Sequence, residues 1–325
     1  MTTQAPTAGR TARGSAGRGA PRGGPRLRLP RRGPANAALR AERWAGLVLA
    51  SPALVVFTVF MFIPLALTFW YSLHRYSGFG RMRWIGTENY RNIASDSTFW
   101  KALLNTVLYT AITVPIGIAL GLGAALLLNR VMPGRGLWRA LVYVPVVISG
   151  VASGIIFLRL FDPITGILNQ LFTGVGLPAV DWQGSGTAAL VSVIIVTTWQ
   201  GIGFGMVVYL SGLQGIPGEL YEAGAVDGAV GWRRFWYITW PMLAPTTFFL
   251  VVYSIIGSFQ VFDVVYVLTR GGPGTSTTFL VQYAYDQGFN QRRQGYAAAI
   301  GVIIYVIVLL FTIAQWRLSR GRDEA

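Results

Sequence analysis

Acidic residues are scarce in this sequence, and two of them sit where they could hold a basic partner. Residues 216–245 read IPGELYEAGAVDGAVGWRRFWYITWPMLAP. Pro217 and Gly218 followed by Glu219 suit a helix start, because proline gives up no hydrogen bond in the first turn and the dipole favours an acid there. Good helix formers run from Glu219 to Asp227, Gly228 can end that turn, and a second helix can begin near Trp232. Ala223, Gly224, Ala225, Gly228 and Ala229 give the first helix a thin profile that a groove on another protein could receive. Glu222 and Asp227 would offer carboxylates to basic side chains in such a groove. An ordinary solvated connecting loop is the other reading of the same residues.

Catalytic chemistry has little to work with elsewhere. There is no cysteine and a single histidine, His74. That excludes a disulfide framework and a thiolate metal site, and it leaves no residue set for a His-rich metal site or a His-based triad.

The elements that must position the 216–245 segment are apolar. Of 325 residues, 53% are hydrophobic and only 12% charged, against about 25% charged in a soluble domain. Charge-free windows run 44–73, 102–129, 140–158, 182–218, 235–262 and 294–316. Each reaches or approaches the roughly 20 residues that a helix needs to cross a bilayer. A seventh gap, 163–180, is interrupted by Pro, Gly, Asn, Gln and Thr and reads as a short amphipathic segment at the surface. The expected fold is an all-α integral membrane protein with about six transmembrane helices. Within the spans, the cluster 199–206 (WQGIGFGM) allows either close helix packing or a bent helix lining a cavity.

Charge is concentrated at the start. Residues 1–43 hold ten arginines and one acid, Glu42, which leaves +6 of the overall +15 for the rest of the chain. A disordered basic cytoplasmic tail is the favoured reading, since an apolar stretch follows at once. A presequence or a nucleic-acid-binding arm is the alternative, although no aromatic residue precedes Trp44 to stack on bases. With the tail inside, inner segments carry 18 Lys and Arg and outer segments 8. Both termini are therefore expected in the cytoplasm, with 44–318 as the membrane domain and 319–325 as a C-terminal tail.

The 216–245 segment resembles the cytoplasmic EAA loop of ABC importer permeases, EAAxxxG, nine residues, then IxLP. Glu222, Ala223, Gly228, Ile238 and Pro241 fall on that spacing, while Gly224 replaces the third motif residue and Trp240 the leucine before proline. Residues 262–289 (FDVVYVLTRGGPGTSTTFLVQYAYDQGF), 295–304 (GYAAAIGVII), 86–93 (GTENYRNI) and 99–107 (FWKALLNTV) are similar to carbohydrate-type, MalF-like permeases, so the likeness covers roughly 44–318.

The resemblance implies a type I permease subunit in a bacterial cell membrane, forming half of the pathway for a sugar or related polyhydroxylated solute. It further implies a second permease, an ATPase dimer that binds ATP and Mg, and an extracellular solute-binding protein. The chain shows no GxxxxGK[ST] loop, so no cofactor is expected on it. By the same analogy, Glu222, Ala223, Gly224, Asp227, Gly228 and Pro241 would couple to the ATPase, with Glu222 making the ionic contact. A sugar site needs aromatic faces and hydrogen-bonding groups. Trp199, Gln200, Phe204, Ser258, Phe259 and Gln260 supply these near membrane depth, and helix packing is the alternative for each. Asp263 is expected at the outer interface as an interfacial acid, with a functional role as the alternative because it stands close to an apolar window. A secondary transporter or channel is the competing function; it predicts ionisable residues inside the spans, which hold almost none. A membrane enzyme would need convergent catalytic groups that this sequence lacks.

Overall fold

The computed structural model describes residues 34–323, with side chains placed over 42–317. The expected basic tail lies largely outside the described residues. Its end does not: α1 (Pro34–Phe57) starts at Pro34, not at Trp44, because Pro34 opens a run of alanines, Leu39 and charged residues that favour helix. The expected C-terminal tail is helical to Asp323. The described chain divides between Met61 and Phe62, with α1 and most of a π-helical turn (Thr58–Phe62) in the first unit.

The second unit opens with α2 (Ile63–Ser72) and a two-stranded hairpin, β1 (His74–Arg75) and β2 (Arg83–Trp84), paired antiparallel with His74 opposite Trp84. His74 is a structural residue. Its ring is buried between Trp70 and Trp84, and Nδ1 lies 2.7 Å from the Trp70 carbonyl. After α3 (Glu88–Ala94) comes α4 (Ser97–Leu128), capped by Asp96, whose Oδ1 accepts the Thr98 amide at 2.9 Å. Asp96 Oδ2 accepts the hydroxyls of Tyr283 and of Tyr296, the latter at 2.6 Å. Partial burial raises the Asp96 carboxyl, but these two hydroxyls and the Thr98 and Phe99 amides outweigh it and hold it below the usual carboxylate value.

The third apolar window is not a straight span. It forms α5 (Arg135–Val147) and α6 (Gly150–Leu160), bent against each other by 100°. Pro145 lies in the last turn of α5, and the Ser149 hydroxyl accepts the Ala152 amide at 3.2 Å, starting α6 afresh. The segment after it is helical only over α7 (Ile167–Gly174), exposed at Ile167 and Leu171 and anchored by Asn169. The Asn169 side chain bonds Pro163, Val180 and the Trp182 indole. Helix α8 (Gly186–Gln214) is unbroken.

Beyond α8 lie α9 (Gly218–Val226), α10 (Trp232–Arg234), a π-helical turn (Phe235–Thr239), α11 (Trp240–Met242), α12 (Ala244–Phe259) and α13 (Asp263–Leu268). Then follow α14 (Leu280–Tyr285), another π-helical turn (Asp286–Asn290) and α15 (Gln294–Asp323). The fifth window therefore begins in short turns, and the span it marks runs Ala244–Leu268 with a break at Gln260–Phe262. Five described stretches are long and apolar enough to cross a membrane, or six if α5 and α6 count as one.

Helices α4 and α8 form the most extensive contact in the unit. A Cβ on Gly121 would stand 3.1 Å from the Gly205 backbone, so a larger residue there would press the two backbones apart. A Cβ on Gly203 would stand 2.6 Å from the Val142 carbonyl of α5. Two of the three glycines in 199–206 thus serve packing, and the bend falls in the α5–α6 pair instead of α8. One apolar core gathers Leu122, Met206, Tyr209, Leu213 and Leu243 towards α9; another gathers Phe161, Trp182, Val193, Val265 and Phe279 towards α7.

Candidate functional site

Helix α9 ends in a motif its sequence specifies. Gly228 takes φ +77°, its amide donates to Ala225 at 3.2 Å, and the Ala229 amide reaches back to Gly224 at 2.7 Å. That pair of bonds is a Schellman close, which needs the left-handed residue glycine provides. One face of α9 is tied to the chain that follows it. The Tyr221 hydroxyl lies 3.3 Å from Thr239 Oγ1, and the Arg234 guanidinium covers the Tyr221 ring at 5.5 Å. Gly224 faces Ile238, whose terminal methyl fills the space where a third motif alanine would put its Cβ. The other face has no partner among the described residues: Val226 is 88% exposed, and Glu222, Ala223 and Asp227 are exposed beside it.

Pro241 has no amide hydrogen to continue a helix, and the π-helical turn Phe235–Thr239 directly before α11 absorbs that loss. Leu243, fully buried, then joins α12 to the core that holds α8.

Midway along the helices, α4, the α5–α6 elbow, α8 and the α12–α13 break line an open cavity of about 520 Å3. Gln200, Phe204, Ser258 and Gln260 line it as the sequence suggests; Trp199 and Phe259 do not. Trp199 packs edge-on against Phe157, and Phe259 is buried against Leu280, Tyr296 and Ile300. The four that line it differ in what they have left to offer. Gln200 Nε2 donates to the Ile148 carbonyl at 3.2 Å and Ser153 Oγ at 3.0 Å, holding the elbow. Ser258 is bound to Thr110 at 2.8 Å and to Ile255. Gln260 makes no side-chain hydrogen bond among the described residues.

Sequence reasoning missed Thr113, Tyr253 and Ser254, which also line the cavity. Tyr253 lies against Phe204 with ring centroids 4.6 Å apart. Neither its hydroxyl nor Ser254 has a hydrogen-bond partner among the described residues. Asp263, which follows the break at Gln260–Phe262, also stands on the wall. The signal was periodic: 109, 113 and 117 on α4, and 250, 254 and 258 on α12, recur every four residues and so share a face. The wall thus combines one aromatic pair with free amide, hydroxyl and carboxylate groups at the depth of the apolar spans.

A family model described as the binding-protein-dependent transport system inner membrane component matches residues 114–323. The chain is 34% identical over 284 residues to the trehalose/maltose transport system permease protein MalF of Thermococcus litoralis, covering 87% of this chain and 96% of that one. It is 33% identical to the sn-glycerol-3-phosphate transport system permease protein UgpA of Agrobacterium fabrum, covering 85% and 94%. Among solved structures, a chain of a bacterial alginate ABC transporter, in complex with an alginate pentasaccharide-bound periplasmic protein, matches with a TM-score of 0.75. It is 25% identical, with 86% of this chain and 96% of that one covered.

Proposed function

This chain belongs to the family of binding-protein-dependent transport system inner membrane components, and we propose that it forms half of the pathway by which an ATP-driven importer moves a sugar or related polyhydroxylated solute. It is a multi-pass membrane protein and a transport subunit of an ABC importer, not an enzyme. The observation that carries the substrate reading is the cavity wall. Phe204 and Tyr253 offer aromatic faces beside the unbonded groups of Gln260 and Ser254, which suits a solute with apolar ring faces and many hydroxyls.

In this reading both termini are cytoplasmic, in a bacterial cell membrane. The exposed face of α9 docks on an ATPase subunit, with Glu222 meeting a basic side chain there and Asp227 beside it. Ala223 keeps the docking face thin, Gly224 and Gly228 shape the helix and its end, and Pro241 sets the turn into α12. ATP with Mg, bound and hydrolysed by the ATPase pair, supplies the energy. This chain moves α9, and through Tyr221, Ile238 and Leu243 it moves α12 against α8, so the cavity opens first to one side and then to the other. A second permease closes the pathway, and a solute-binding protein delivers the solute from outside.

Reconstitution tests the reading. The chain, with partner permease, ATPase pair and solute-binding protein in vesicles, should take up radiolabelled sugar only with ATP and binding protein both present. Uptake driven by an ion gradient without ATP would contradict it.

A further inference from the structure

Asp263 is the sole acidic side chain on the cavity wall, and no Lys, Arg or His lines that wall with it. Among the described residues it forms no ion pair; the one ion pair seen joins Arg75 and Glu88, outside the cavity. Its place is built for it. A Cβ on Gly150 would stand 2.8 Å from Asp263 Cβ and 3.3 Å from Oδ2, so only a glycine lets the first turn of α6 come up against this side chain. Gly150 is the first residue of that 11-residue helix, so the carboxylate stands beside its N-terminus.

Taken as a sphere, the cavity of about 520 Å3 has a radius of about 5 Å. A charged solute anywhere inside it lies within about 10 Å of Asp263, close to the screening length of roughly 8 Å at physiological salt. Dissolved ions therefore weaken the interaction at the far side of the cavity and leave more of it close to the carboxylate.

We infer that Asp263 makes this pathway selective against anionic solutes, so that the transported compound is an uncharged or cationic polyhydroxylated molecule whose hydroxyls donate to the Asp263 carboxylate. This rests on the cavity being the solute pathway, as proposed above. It separates this chain's cargo from phosphorylated, sulfonated and uronate compounds. A carboxylate accepts hydrogen bonds from vicinal hydroxyls, whereas it repels a second anion at the same distance.

The absence of cysteine permits a direct test. Ser254→Cys places the only thiol of the chain on the cavity wall, in the assembled transporter. Its reaction rates with anionic sulfonatoethyl and cationic trimethylammonioethyl methanethiosulfonate are measured, each normalised to a small free thiol. The cationic reagent should be favoured on the order of tenfold. Asp263→Asn on this background should bring the normalised ratio near one, and Asp263→Glu should keep the preference. A ratio unchanged by Asp263→Asn overturns the inference. So does failure of both reagents to react, because the wall would then be closed to solutes. ATP-dependent uptake of a phosphorylated or sulfonated solute by the unaltered chain overturns it too, while leaving the importer reading intact. Reagent ratios as expected without any ATP-dependent uptake would instead sink the importer reading and leave the charge effect of Asp263 standing.

Discussion

Helix α9 and the cavity are built on opposite plans. Every group that shapes α9 comes from a run of about twenty residues, and its exposed face, Glu222 with Ala223 and Val226, is held out by Tyr221 and Gly224 on the reverse side. The cavity draws on four parts of the chain separated by long stretches, brought together by close approaches such as Gly121 on Gly205. A site of the first kind should fail in coupling while solute contacts survive. A site of the second kind should fail in uptake while coupling survives.

Glu222→Lys is the most damaging change expected. It reverses the charge on the exposed face of α9 without touching the buried side, so uptake and recovery of the ATPase on copurification should both collapse. Membrane insertion should be unchanged. Wild-type uptake by this variant would break the contrast.

Gln260→Leu should lower uptake by roughly 5- to 150-fold, the equivalent of about 1–3 kcal/mol for a hydroxyl left unpaired in a desolvated site. Binding-protein-stimulated ATP hydrolysis should largely persist. Gln200→Leu makes the sharper comparison, because Gln200 already spends its amide nitrogen on Ile148 and Ser153. It should loosen the elbow, seen as a lower melting temperature of the purified chain, which Gln260→Leu should not share.

Two glycines extend the contrast to stability. Gly203→Ala forces a Cβ to within 2.6 Å of the Val142 carbonyl. Backbone must shift, and overpacking of that kind costs about 1–3 kcal/mol, readable by thermal denaturation in detergent. Gly224→Ala should do least. Its Cβ would meet only the tip of Ile238, which can turn aside, and alanine gains about 1 kcal/mol of helix propensity over glycine. Uptake within twofold of wild type is expected, and a large loss would show that α9 depends on the exact seat of Ile238.

The contrast also explains what could be read from the sequence. The 216–245 segment was legible because its spacing, small residues and Gly228 are local signals, and the structure places a helix, a left-handed glycine and a fresh helix at Trp232 accordingly. Five of the apolar windows mark membrane-length helices for the same reason: charges punctuate them. Counting charges cannot see a bend, so the 140–158 window does not show the 100° turn between α5 and α6, which falls between Pro145 and the Ser149 cap. Composition also cannot say which face of an apolar helix turns inward, because lipid and core suit the same residues. Trp199 and Phe259 therefore looked equivalent to Gln200 and Ser258, one position away, though each points about 100° off the lining face.

Docking of α9 on an ATPase can be captured covalently, because the chain has no cysteine of its own. Val226→Cys puts a single thiol on the exposed face of α9, and a maleimide–benzophenone reagent attached there can be photolysed in the assembled, active transporter. The account predicts a covalent adduct with the ATPase subunit, competed away by excess free ATPase during assembly. An adduct with the solute-binding protein instead, or none with the ATPase while ATP-dependent uptake proceeds, would contradict it.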